Sequence, residues 1–173
     1  MSHRLPRQRC RWRVPPCRQS PPSAGNSAMA EVHPSAMSAA HIHLVRQTFL
    51  QVAPVANQAA ALFYDRVFER APAAVAMFRG DMALQGQRLM AMVAAAVDSL
   101  DDLSALDHTL AALGQRHVGY GVQPAHYAVV GSALLDTLAA ALGPGFTPAH
   151  RQAWAGFYGL VSRAMLDGAK HTL

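Results

Sequence analysis

From Ser38 onward the apolar residues recur at helical spacing, and no run of alternating β-branched residues is long enough to make a strand. Prolines, glycines and short polar residues divide this pattern into segments, which predicts an all-α domain. The first helix is expected over about Ala39 to Val52, with Ile42, Val45, Phe49 and Leu50 on one side, and Pro54 breaks it. A second covers about Val55 to Arg70, and Pro72 sits at a favoured first-turn position of a short segment ending near Phe78. Asp81 can cap a helix running to about Ser99, and Ser104 with Asp107 can cap one ending at His117, where Gly119 and Gly121 stop it. Pro124 opens a helix to about Leu142 that buries Val129, Val130, Leu134 and Leu138. After a turn, Thr147 and Pro148 start the last helix, which reaches about Lys170 with Trp154, Phe157, Tyr158, Val161 and Met165 inward.

The excess positive charge lies outside this pattern. Residues 1–36 hold six arginines and one acid, Glu31, a net +5, while nine basic and nine acidic residues follow and leave the body neutral. With six of the eleven prolines and almost no apolar periodicity, this start is expected to be a disordered extension over 1–36, followed by a folded domain over 37–173. It lacks the apolar core of a secretory signal, and it reads as a solvated tail or as sequence upstream of a start at Met29 or Met37. The neutral body carries no basic face for nucleic acid, and no apolar run approaches the roughly 18–20 residues of a membrane span. Cys10 and Cys17 both fall in the extension, so the body is free of disulfides and suits a reducing, cytoplasmic setting.

Chemistry is sought among polar residues embedded in apolar helices. The stretch LGQRHVGYGVQPAHY, residues 113–127, places His117 in the last turn of an apolar helix against a glycine-rich break, where an imidazole can point at a bound metal. Taken alone, such a histidine is more often a hydrogen-bonded residue than a ligand. Tyr64 and Gln85 are likewise unremarkable in isolation, a buried tyrosine and a first-turn glutamine that shares a face with Leu89. The remaining histidines form no i, i+4 pair with one another, and no HExxH, CxxC, GxSxG or phosphate-binding glycine loop is present.

Four segments in order carry a family likeness: LFYDRVFERAPAAVAMF, GDMALQGQRLMAMVAAAV, LGQRHVGYGVQPAHY and LGPGFTPAHRQAWAGFYGLV. Together they resemble the single-domain globins of bacteria and the globin part of flavohaemoglobins, and the last segment is also similar to neuroglobin. The likeness covers about residues 39–168. It implies a globin fold around haem b, with His117 as the proximal iron ligand, Phe78 packed on the porphyrin, and Tyr64 and Gln85 as the distal pair. It also implies that Leu89 is the apolar residue one turn beyond Gln85, that Val122 belongs to the cofactor pocket, and that Tyr127 is the tyrosine of a proximal hydrogen-bond network. The glutamate of that network has no counterpart here, since its place falls at about Ala169.

The resemblance implies a protein that binds dioxygen, nitric oxide or another diatomic gas at the iron face opposite His117. Two hydrogen-bond donors beside that face would hold a gas rather than deliver it, which favours nitric oxide detoxification with a separate reductase, as a monomer or homodimer. Two other readings are a haem-based gas or redox sensor acting through a partner, and a haem-free scaffold.

Overall fold

Short polar side chains and prolines set the helix boundaries in the computed structural model, which describes residues 37–170. The Ser38 hydroxyl accepts the His41 N–H at 3.2 Å and starts α1, Ala39–Val52. Pro54 has no N–H to continue the ladder, and the chain tightens into a 3-10 turn, Ala53–Val55, before α2, Ala56–Arg70. A second 3-10 turn, Pro72–Met77, leads to Phe78 in an extended conformation. The Asp81 carboxylate then accepts from the Ala83 and Leu84 N–H groups and opens α3, Met82–Asp98. The remaining helices are α4, Asp107–Gly119, α5, Pro124–Leu142, and α6, Pro148–Lys170. The described residues are therefore all-α, with no strand among them. The extension expected over residues 1–36 lies outside the described residues.

Three expectations change. Leu50 is 73% exposed, because the buried stripe of α1 runs through Val45, Thr48 and Val52, and Leu50 stands two residues before Val52 on the opposite side. Ser104 and Asp107 do not cap α4. Instead the Asp102 carboxylate accepts from both the N–H and the hydroxyl of Ser104, opening a 3-10 turn, Leu103–Leu106, that runs directly into the helix. The segment Pro124–Gly145, 22 residues of mean hydropathy 1.4, is long and apolar enough to cross a membrane by length and composition. In this fold that segment packs against α2 and α6. Its Asp136 is ion-paired to Arg70 of α2 at 2.6 Å and to Arg151 of α6 at 3.1 Å, which joins three helices at one carboxylate.

The core lies in two adjoining parts. The larger centres on Trp154 and Phe157 of α6, whose rings meet edge to face at 5.2 Å, with Val45 and Val52 of α1 and Ala96 and Val97 of α3 around them. The smaller gathers Phe63, Tyr64 and Val67 of α2 with Ala133 of α5, and Phe68, Phe78, Met82 and Leu89 pack on it.

The contact between α4 and α6 is of a different kind, because backbone meets backbone. A Cβ added at Gly114 of α4 would overlap the Met165 carbonyl, and one added at Gly168 of α6 would overlap the main chain of Ala111. Only a residue without a side chain permits that approach. On the same helix Gly156 is open, with nothing within 4 Å of an added Cβ. Gly168→Ala should therefore cost about 2 kcal/mol or more through overpacking, whereas Gly156→Ala should gain roughly 0.5–1 kcal/mol through helix propensity. Urea denaturation of the two variants checks this, and midpoints that move together would contradict the backbone contact.

Candidate functional site

The end of α4 fixes one imidazole. Gly121, at φ 82°, reverses the chain after Tyr120, and the Val122 N–H returns to the His117 carbonyl at 3.0 Å. The half-buried His117 ring places its Nδ1 2.8 Å from the Leu113 carbonyl oxygen, one turn back. A carbonyl can only accept, so Nδ1 carries the proton and donates, and the Nε2 lone pair is left unshared. Burial holds the ring below the ordinary histidine range, opposed by the Leu113 bond and assisted by the nearby Arg116 charge. The ring is therefore neutral at neutral pH, the form that can coordinate a metal.

His117 faces a cavity of about 350 Å³ bounded by α2, α3, α4, α5 and the turn before α3. That volume lies within the roughly 300–1,000 Å³ common for small-molecule sites. Of the residues expected at a cofactor, Phe78, Gln85, His117 and Val122 line it. Val67, Ala74, Met77, Val129 and Val130 make its wall largely apolar.

Tyr64, Leu89 and Tyr127 do not line that cavity. Tyr64 is buried with its ring 5.3 Å from that of Phe78, edge to face. Burial raises its pKa, and a hydrogen bond with the Gln85 side chain pulls it partly back. Through Gln85 the phenol is thus linked to a residue of the cavity. Leu89 packs on the Phe63, Tyr64 and Val67 cluster below. The Tyr127 ring lies 6.5 Å from that of His117, and its carbonyl accepts from the Tyr158 hydroxyl at 2.7 Å. The hydrogen bond of the His117 ring therefore goes to Leu113 rather than to Tyr127.

The sequence reading missed five polar residues of the cavity: Arg79, Asp81, Arg88, Tyr120 and His126, of which Asp81 was expected only as the cap of α3. Arg88 could have been found, since it follows Gln85 by three residues and so shares its helix face. Arg79 and Arg88 are exposed and have no acidic partner among the described residues, which leaves two cations free to meet an anionic ligand. The His126 Nδ1 accepts the Gln123 N–H at 3.1 Å, so in the neutral ring its proton is on Nε2. The cavity thus contains one imidazole with an available lone pair and a second that can only donate.

A planar apolar cofactor with peripheral carboxylates and a metal needing an axial nitrogen ligand fits these residues. Among the described residues no cluster of three or more His, Cys, Asp or Glu could hold a bare metal ion.

Comparison with known proteins agrees. The globin family model matches residues 61–165. Neuroglobin of Danio rerio is 42% identical over 81 residues, which are 47% of this chain and 51% of that protein, so the chain spans about half the length of the curated relatives it matches. An engineered carbene transferase made from a candidate nitric oxide dioxygenase of Rhodothermus marinus superposes with a TM-score of 0.72 at 26% identity, over 79% of this chain and 95% of that one. A bacterial globin from Campylobacter jejuni shares the fold, with a TM-score of 0.67 at 23% identity over 76% of this chain and 95% of that one.

The two imidazoles are predicted to be opposite tautomers. Long-range ¹H–¹⁵N correlation spectra of the cofactor-free protein above pH 7 should show the proton of His117 on Nδ1 and that of His126 on Nε2. The same tautomer at both positions would contradict the assignment.

Proposed function

Because this chain belongs to the globin family, whose model matches more than half of it, we propose that it holds haem b through His117 and reversibly binds dioxygen and other diatomic gases. Nitric oxide detoxification, with electrons from a separate reductase, is the reaction we assign to it. The observation that carries this reading is the His117 Nε2, freed by the Leu113 bond beside a largely apolar cavity that Gln85 also lines. Haem would be held by His117 and, when bound, would supply an iron able to take a gas.

The chain's own residues divide the remaining work. The Leu113 carbonyl orients the His117 ring and, being neutral, makes it less electron-donating than a carboxylate partner would. That favours holding a gas over breaking its bond. Arg79 and Arg88 offer charge to the carboxylates of the cofactor, and the His126 Nε2–H offers a further donor. Phe78, Val67, Val129 and Val130 exclude water and raise the strength of any hydrogen bond made inside.

Tyr64 and Gln85 set how long a gas stays. A hydroxyl and an amide are both donors, and a hydrogen bond to a group carrying negative charge is worth roughly 1.5–3 kcal/mol. At about 1.4 kcal/mol per decade, one such bond slows release roughly ten-fold or more. The structural likeness to a candidate nitric oxide dioxygenase from Rhodothermus marinus supports the same reading, since holding dioxygen is what that activity requires.

Stopped-flow measurement on the reduced, haem-loaded protein tests it. Tyr64→Phe is expected to release dioxygen at least about ten-fold faster than the parent. With a flavin reductase added, the parent should consume nitric oxide. Equal release rates would remove Tyr64 from the gas site, and no nitric oxide consumption would leave binding as the function.

A further inference from the structure

A second cavity, also of about 350 Å³, opens between α2 and α3. Its exposed rim holds Asn57, Ala61 and Asp65 of α2 with Ala83 and Gln87 of α3, and its inner wall includes Ala60, Gly86, Phe68 and the buried Tyr64. Met82 lines both this cavity and the one beside His117. Tyr64 walls the second cavity, while Phe78, whose ring meets that of Tyr64 edge to face, and Gln85 line the first. Two side chains, Tyr64 and Met82, therefore stand between a void open at the surface and the corner where Gln85 meets the first cavity.

Chemically, the two partners of this partition differ. Tyr64 is held by Phe63 and Phe78, with ring centroids 5.1 and 5.3 Å away, and by Gln85. Met82 is an unbranched thioether in the first turn of α3, half-buried, and such a side chain changes rotamer without moving the backbone that carries it. The inner wall is built from aromatic rings, a thioether and alanine. Inside the polar rim such a surface gives water few partners, whereas an apolar diatomic molecule needs none. The exposed Arg79, Arg88 and Tyr120 line the first cavity instead, on the side a cofactor held by His117 would fill.

We propose that the cleft between α2 and α3 is the passage by which dioxygen and nitric oxide reach the Tyr64–Gln85 corner, with Met82 as its movable gate. This rests on the gas-binding reading above. It separates two functions along one path, since Met82 governs how fast a gas arrives and leaves, and Tyr64 governs how tightly it is held. Because a passage presents the same barrier in both directions, blocking it slows association and dissociation equally and leaves affinity unchanged.

Carbon monoxide binding to the reduced, haem-loaded full chain, followed by flash photolysis and stopped flow, tests the passage. Ala61→Trp and Ala83→Trp, each at the exposed rim, should both lower the association and dissociation rate constants by about three-fold or more with an unchanged ratio. Met82→Ala should raise both together. Unchanged rates in the two rim variants, or a change confined to dissociation, would overturn the passage. A chain that develops no Soret band with hemin would overturn the gas-binding reading itself, at a step before any gas is added.

Discussion

The hydrogen bond from His117 to the Leu113 carbonyl is the interaction on which the site depends. It settles which ring nitrogen carries the proton, and so which one is free to bind a metal. The bond is local to α4, but its placement is not, because α4 is seated on α6 by backbone contact at Gly114 and Gly168. Gly114 immediately follows Leu113 and lies one turn before His117, so the imidazole is referenced to the longest helix among the described residues. Close packing of this kind resists small displacements, since neither main chain has a side chain that can yield. The proximal wall is consequently the rigid side of the cavity.

The opposite wall is built on different terms. There Met82, Gln85 and Arg88 of α3 line the cavity, and Tyr64 of α2 packs against Phe78 beside them. The Gln85 side chain lowers the pKa of the buried phenol against the effect of its burial. Both keep hydrogen-bonding capacity for a third partner. A stiff nitrogen ligand on one side and an adjustable polar pair on the other suit a site that must fix a metal while admitting and releasing a small molecule. Asp136, gripped by Arg70 and Arg151, ties α2, α5 and α6 together behind this arrangement.

Much of this was legible in the sequence because it depends on spacing along one helix. Gln85 and Leu89 share a face by periodicity, Asp81 stands where a cap is needed, and the glycines after His117 mark the reversal of the chain. What depends on two helices meeting was not legible. Nothing in the spacing along α4 or α6 marks Gly114 and Gly168 as the places where the two backbones touch. Tyr64 could be placed on a buried face, but its place on the second cavity rather than the first follows from how α2 crosses α3. His126 pairs with no other histidine along its helix, and spacing alone does not show a residue that reaches the cavity through the fold. Leu50 went astray by two residues, which on a helix is enough to turn a side chain from core to solvent.

The most direct test of the account is to titrate purified protein with hemin and read the Soret band for the parent, for His117→Gly, and for His117→Gly with added imidazole. The account predicts one equivalent bound by the parent with the spectrum of histidine ligation, loss of that spectrum in the variant, and its return when free imidazole takes the vacated position. Identical spectra in parent and variant would show that another residue holds the iron, and would contradict the claim that the lone pair freed at His117 defines the site.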